Sequence, residues 1–222
     1  MSFARDRILG EIRKRTEKNE PPSRLRARLK DPPVHTIPAR VRRGEAERLS
    51  LFVRMAELAK AEVVRIKTPA AFPEEVRRLL AERGLPPEVL ASREPALLGL
   101  PWAAAGLRLR HGRAGAEDRT GVALALAGVA ETGGLLFAAS PASPMTLHLL
   151  CDLHVVLLPE ERLCGTAEEA FHFLSRSADG ALPSAVTLVT GPSRTADIEQ
   201  RIALGAHGPR EVHIVLAGRA AR

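Results

Sequence analysis

Three short stretches of this 222-residue chain combine polar side chains with glycines in ways that could do chemistry. The first is Glu131-Thr132-Gly133-Gly134, which follows the apolar run Gly128-Val129-Ala130. A carboxylate at the mouth of a buried strand is costly unless it is paired or faces a cleft. Glycines after it let backbone amides approach a ligand closely. Glu131 is therefore a candidate base, nucleophile or ligand hydrogen-bond acceptor, with Thr132 and Gly133 as ligand-binding candidates. The alternative is a polar turn between two strands. The second stretch is Thr190-Gly191-Pro192-Ser193-Arg194-Thr195-Ala196-Asp197-Ile198-Glu199. A glycine-containing loop that runs into a helix N-terminus offers free N–H groups and a positive dipole end, which suit an anion. Gly191, Pro192, Ser193, Arg194, Thr195 and Asp197 are candidate binding positions for a phosphate or carboxylate. The stretch is not a P-loop, because the lysine and second glycine of that motif are missing. The competing reading is helix capping by Ser193 or Thr195, with Asp197 and Glu199 favouring the first turn. The third stretch, Gly205-Ala206-His207-Gly208-Pro209, offers His207 as an acid–base group with Gly208 beside it. A neighbour of a helix C-cap is the plainer alternative. The other histidines (His35, His111, His148, His154, His172, His213) show no partnered spacing.

The positioning elements follow from the spacing of apolar residues. Residues 1–16 carry Phe3, Ile8, Leu9 and Ile12 at helical spacing. Five prolines between residues 17 and 42 predict an extended connector, with one short helix around 23–30. Residues 44–60 predict a helix that docks on the main domain. From residue 61 strands alternate with helices. Strands are expected at 62–66, 89–91, 107–110, 122–130, 135–139, 153–158, 185–190 and 212–216. Helices are expected at 73–84, 144–152, 167–176 and 195–204. Such alternation predicts an α/β fold, an open and mostly parallel sheet with helices on both faces. The turn-like Glu131–Gly134 segment predicts a hairpin inserted in that pattern. Ligands of open α/β sheets bind beyond the carboxyl ends of strands, and the three stretches are placed there.

Composition narrows the classes. With 45% hydrophobic and 27% charged residues the chain is that of a globular protein. No apolar run reaches the roughly 18 residues of a membrane span. The N-terminus lacks an apolar signal core, so the expected compartment is the cytoplasm. The net charge of +7 is unevenly spread: residues 1–60 hold 16 basic and 8 acidic side chains, and residues 61–222 hold 17 and 18. The domain reading is accordingly a basic helical arm, 1–60, on a nearly neutral α/β domain, 61–222. Basic arms can bind nucleic acid or acidic surfaces. Here acids are interspersed and aromatics are scarce, which makes nucleic acid a poor fit and a solvated or partner-facing arm a better one. The two cysteines, Cys151 and Cys164, cannot hold an iron–sulfur cluster on four thiolates within this chain. No metal site is expected, and no cofactor bound by this chain.

Taken together, the Thr190–Glu199 stretch, the Gly205–Pro209 stretch and Ala130-Glu131-Thr132-Gly133 resemble the signature of the LUD domain family, nearest its lactate-utilisation protein C (LutC/YkgG) group. The likeness spans about residues 115–216. It implies a fold like that of the NagB/RpiA/CoA-transferase superfamily. It also implies a place in a three-component system that oxidises L-lactate to pyruvate, in which sister proteins carry the iron–sulfur clusters. Relatives often have Gly-Ala-Asp before the Ala-Glu-Thr-Gly; here Leu124-Ala125-Leu126 stands there, so an acidic group is missing. Gly134 replaces their usual Thr or Ser.

Three functions compete at this stage. One is a component of lactate oxidation, with the Glu131 loop, the Ser193–Asp197 loop and His207 lining one cleft for a small carboxylate or phosphorylated ligand. Another is a non-enzymatic assembly or regulatory subunit whose arm docks on an iron–sulfur partner. The third is an independent transferase or hydrolase acting on a CoA- or sugar-phosphate-like substrate.

Overall fold

A computed structural model describes residues 2–16, 23, 27, 41, 44–177, 183–196, 202–205 and 207–218. The chain divides into two compact units, Met1–Ile37 and Pro38–Arg222. In the first, α1 (Ser2–Thr16) exposes Ile8, Leu9 and Ile12. Arg13, Lys14 and Arg15 occupy its last turn, where the helix dipole favours cations. Most of the expected connector, 17–42, and its short helix lie outside the described residues.

The second unit begins with α2 (Glu45–Leu58), which opens on Glu45 and Glu47 and buries Leu51, Phe52 and Ala56 on one face. It ends in a Schellman motif: Ala61 N–H donates to Ala56 O at 3.0 Å and Lys60 N–H to Glu57 O at 2.9 Å. Lys60 takes the left-handed position, φ 71°, that glycine usually fills. Then come β1 (Glu62–Ile66), α3 (Phe72–Glu82), β2 (Glu88–Ala91), α4 (Pro95–Leu98), β3 (Arg108–Arg110) and β4 (Thr120–Leu124). A hairpin of β5 (Ala127–Val129) and β6 (Gly134–Ala138) precedes α5 (Met145–Leu150) and β7 (Leu153–Pro159). The chain continues through β8 (Leu163–Cys164), α6 (Ala167–Ser177), β9 (Val186–Val189), β10 (Arg194–Ala196), β11 (Ile202–Leu204) and β12 (Glu211–Ala217).

The large sheet has the order β1-β12-β7-β4-β2-β3, and every pairing in it is parallel. Its central strand β7 is buried along its whole length, as a parallel strand covered on both faces must be. Leu153, Val155 and Leu157 face a layer built from α3, α4 and Trp102. Trp102 is fixed there by an edge-on contact with Phe72, centroids 5.6 Å apart, and by Nε1–H donating to Leu97 O at 2.8 Å. The alternate residues of β7 face a smaller sheet of order β8-β5-β6-β9. Gly128 of β5 lies against Leu158, Leu163 and Phe52 of α2; Phe137 of β6 lies against His154. Helix α6 closes the far side of the small sheet with Ala170 and Leu174 on Ala127, Val129 and Leu136.

Two expectations change and one holds. The apolar run 122–130 is not one strand: it breaks at Ala125-Leu126, and its two halves, β4 and β5, belong to different sheets. The expected hairpin exists as β5–β6, antiparallel, in the small sheet. The helix expected at 195–204 is absent from the described part of that segment. Residues 194–196 and 202–204 instead form an antiparallel ladder, with Arg194 opposite Leu204 and Ala196 opposite Ile202. Local spacing of Thr195 and Ile202 fits either structure. Pairing across the gap, which no short window contains, decides for strands.

Candidate functional site

The β10–β11 ladder explains the spacing of the second and third stretches. By pairing Arg194 with Leu204 it returns the chain beside its own start. Gly205 N–H then donates to Ser193 O at 3.1 Å, and Ser193 N–H to Pro209 O at 2.8 Å. A Cβ on Gly208 would stand 3.1 Å from Ser193 Cβ, so the small residue is part of the fit. Thr190, Gly191, Pro192, Ser193 and Arg194 therefore share one pocket with His207, Gly208 and Pro209, of about 540 Å³. Leu149 of α5, the β9 residues Thr187–Val189 and Ala59 complete its wall. Arg194 and His207 are exposed and Ser193 is half-buried. Asp197 lies outside the described residues, and of Thr195 only the backbone, in β10, is described.

Glu131 does not line this pocket. Its turn is nevertheless adjacent. Gly134 sits where an added Cβ would meet Thr190 Oγ1 at 2.8 Å and Thr132 Oγ1 at 3.0 Å, so the two hydroxyls converge on that glycine. Thr132 Oγ1 accepts from Gly134 N–H at 3.2 Å, and Glu131 N–H donates to Gly165 O at 3.1 Å. The structure thus packs the Thr132 hydroxyl beside that of Thr190 around Gly134, leaves the half-buried Glu131 beside β8, and puts none of Glu131, Thr132 and Gly133 on the pocket wall.

The two signature glycines have a packing role. Gly133 (φ 69°) and Gly191 (φ 67°) both adopt left-handed backbone. A Cβ on Gly133 would come within 2.2 Å of Ala56 N, and one on Gly191 within 2.1 Å of Ala59 O. Both loops are therefore seated directly on the backbone at the end of α2. Close approach between main chains, which only glycine permits, fixes the two loops together.

The strand-end expectation holds in one sheet and fails in the other. Glu131–Gly133 follows the carboxyl end of β5 and Thr190 that of β9, two strands that run the same way in the small sheet. Relative to the large sheet the same loops sit at the amino edge. Pro209 leads into β12, Ala59 precedes β1 and Leu149 precedes β7; Glu211 and Leu153, at the starts of β12 and β7, are register partners.

Sequence spacing missed the paired histidines. Ser143 Oγ, His148 and His154 form a buried chain, with contacts of 3.0 Å (Ser143 Oγ to His148 Nε2) and 3.3 Å (His148 Nδ1 to His154 Nε2). Phe137 stacks on His148, centroids 4.1 Å apart. Burial lowers the His148 pKa to about 4. It lowers His154 well below the ordinary range, with His148 adding to the effect. Both rings are therefore neutral near pH 7. His213 holds Glu62 at 3.0 Å through Nδ1 and Glu75 at 3.3 Å through Nε2. Neither arrangement has a local signal, because the partners come from different elements. Burial pushes the Cys151 thiol up to about 12, so it stays protonated against Gly121. Among the described residues no group of three or more His, Cys, Asp or Glu could hold a metal ion. No helix among them is long and apolar enough to cross a membrane.

A parallel sheet faced by a small hairpin-bearing sheet makes this an α/β fold, and its overall fold is like that of a solved structure. A DUF162 family protein from Deinococcus radiodurans matches with a TM-score of 0.60 at 16% identity, covering 79% of this chain and 99% of that one. The LUD domain model matches residues 49–217, and the chain belongs to the LUD domain family. An uncharacterized protein of Neisseria meningitidis serogroup B is 36% identical over 88 residues, 40% of this chain and 37% of its own length. Lactate utilization protein C of Exiguobacterium sp. is 33% identical over 101 residues, 43% of each chain. YkgG, an uncharacterized protein of Escherichia coli, is 28% identical over 103 residues, 45% of each. The matched stretch spans less than half the length of these curated relatives.

Proposed function

We propose that this chain is a cytoplasmic component of an L-lactate utilisation system and that the pocket between Thr190–Arg194 and His207–Pro209 receives its small anionic ligand. The observation that carries the reading is that the two signature stretches, separate in sequence, close on one pocket of about 540 Å³. Relatives named lactate utilization protein C support the choice of pathway. In this reading the Arg194 guanidinium pairs with the ligand's carboxylate, the Thr190 and Ser193 hydroxyls add donors, and His207 at the mouth is the acid–base group. Glu131 supports the turn that carries Thr132. Oxidation of lactate to pyruvate releases two electrons and two protons, and the electrons pass to iron–sulfur partner proteins. Titration of the full chain with L-lactate and with pyruvate, by calorimetry, tests the pocket. Binding that Arg194→Gln weakens by about tenfold is the expected result. No heat with either ligand removes the pocket from the reading, and normal growth of a deletion strain on L-lactate removes the pathway.

A second reading, a non-enzymatic assembly subunit, is favoured by the exposed Ile8, Leu9 and Ile12 among the cations of α1. Removal of residues 1–37 then abolishes co-purification with the iron–sulfur partners while lactate binding persists. Unchanged co-purification rejects it.

A further inference from the structure

The carboxyl edge of the large sheet carries a second cavity, which the lactate reading does not use. Its volume is about 560 Å³, and it lies between the first turns of α2 and the ends of β1, β7 and β12. That size falls among small-molecule sites, roughly 300–1,000 Å³. The position is where open parallel sheets bind their ligands.

The charges on its wall select the ligand. Arg48 donates through Nη1 to Leu163 O at 3.3 Å, while its Nε is buried with no partner among the described residues. Arg48 lines the cavity, and a carboxylate is the acceptor whose two oxygens best match the fork of a guanidinium. Arg65 is already engaged: its Nε and Nη2 hold the two oxygens of Glu160 at 2.6 and 3.1 Å. Glu161, exposed on the same wall, makes no ion pair among the described residues. The remaining charged wall residue is Glu45. Two cations thus face three carboxylates. An anion alone meets an excess of negative charge, and a cation alone leaves Arg48 unanswered.

We propose that this cavity binds a small zwitterion of the amino-acid class, its carboxylate on Arg48 and its ammonium on Glu161. The remaining volume accommodates a side chain. The site stands independently of the lactate pocket, which lies at the opposite edge of the sheet. L-Lactate and L-alanine differ chiefly in a hydroxyl against an ammonium, so the pair separates the two sites.

The test uses the full chain. Each proteinogenic L-amino acid is screened singly at millimolar concentration by thermal unfolding, with L-lactate as the amine-free control, and calorimetry follows on any that raise the midpoint. At least one amino acid is expected to bind. Arg48→Gln and Glu161→Gln should each weaken it by about tenfold or more, since each removes one charge-assisted contact. Arg194→Gln should leave amino-acid binding unchanged. The unliganded melting point of each variant reports that it is folded. Absence of binding by every amino acid overturns the proposal, as does binding that survives both substitutions or that L-lactate displaces. A failure of L-lactate to bind anywhere counts against the lactate pocket alone.

Discussion

At the amino edge of the large sheet charged groups answer one another; at the carboxyl edge several do not. Arg83 bridges Glu62 and Glu211 at 3.0 and 2.8 Å, and Asp152 holds Arg119 and Arg210 at 2.8 and 3.2 Å. Burial raises the Glu62 carboxyl, but hydrogen bonds from His213 and Arg83 outweigh it and hold it below its usual range. A hydrogen bond from Arg78 does the same for Glu75. At the other edge, Arg65 and Glu160 form an answered pair. Arg162 is held by Ala125 O at 2.8 Å, and burial lowers its pKa. Of the four buried polar side-chain atoms without a partner among the described residues, three (Arg48 Nε, Ser92 Oγ and Glu94 Oε2) belong to that edge. Interiors tolerate few such atoms, and those that persist call for a ligand, a water or a function. The ion pairs between the strands of the amino edge are thus answered by the fold itself, outside the pocket, whereas the carboxyl edge is left with polar capacity to spend on something else.

The largest expected effect tests how tightly the amino edge is closed. Gly191→Ala places a methyl on Ala59 O and forces alanine into left-handed backbone. Overpacking and strain together should cost about 2–5 kcal/mol, read as a fall in the urea midpoint. Gly133→Ala, against Ala56, should behave alike. Gly44→Ala, at the carboxyl-edge end of α2 with nothing within 4 Å, should cost less than about 1 kcal/mol. Equal effects at both ends would mean that α2 is not the seat of the signature loops.

That seat was only partly visible in the sequence. The buried strands β7 and β12 were legible because their apolar runs end at Pro159 and start after Pro209. The glycine loops were legible as loops. Their partner was not, since nothing in Leu58-Ala59-Lys60 announces that two distant glycines will rest on it. The break between β4 and β5 was hidden because Leu124-Ala125-Leu126 is apolar throughout and alternation cannot report a change of sheet. The strands β10 and β11 were hidden for the opposite reason: a short stretch carries both periods, and only the register between them settles which one folds. The candidate residues were named by type and spacing; which of them share a pocket, and at which edge of the sheet, followed from strand pairing and direction, which are properties of the whole topology.

Acid unfolding separates the interior from the edge. His148 and His154 have folded pKa values below the unfolded value of about 6.5, so the unfolded chain binds more protons as the pH falls. Their contribution is full above about pH 6.5 and declines towards pH 4. For His148 alone the shift to about 4 corresponds to roughly 3 kcal/mol. The amino-edge carboxylates Glu62 and Glu75 also have lowered values, so their contribution is present above about pH 4.3 and is lost only as the pH falls further. Urea midpoints measured from pH 7 to 3 should therefore fall in two stages. A double substitution of His148 and His154 by apolar residues should flatten the first stage and leave the second. A single stage starting below pH 4.3 would mean that the two rings are not held neutral in the folded protein.

The smallest effect is the sharpest test of the two edges, because it compares the same substitution at both. Arg83→Gln removes a cation from Glu62 and Glu211 and brings two carboxylates of the amino edge together uncompensated. Both glutamates are more than half exposed, so screening limits the cost to about 1 kcal/mol, shrinking further in high salt. Arg48→Gln loses one long hydrogen bond to Leu163 O and at the same time removes the orphaned Nε donor. Deleting an unsatisfied buried group offsets the lost bond, which leaves a net change within about 0.5 kcal/mol and no salt dependence. Urea midpoints of the two variants at low and high salt should diverge at low salt and converge at high salt. If Arg48→Gln proves as costly as Arg83→Gln, Arg48 is held by the fold itself, and the carboxyl edge is as closed as the amino edge.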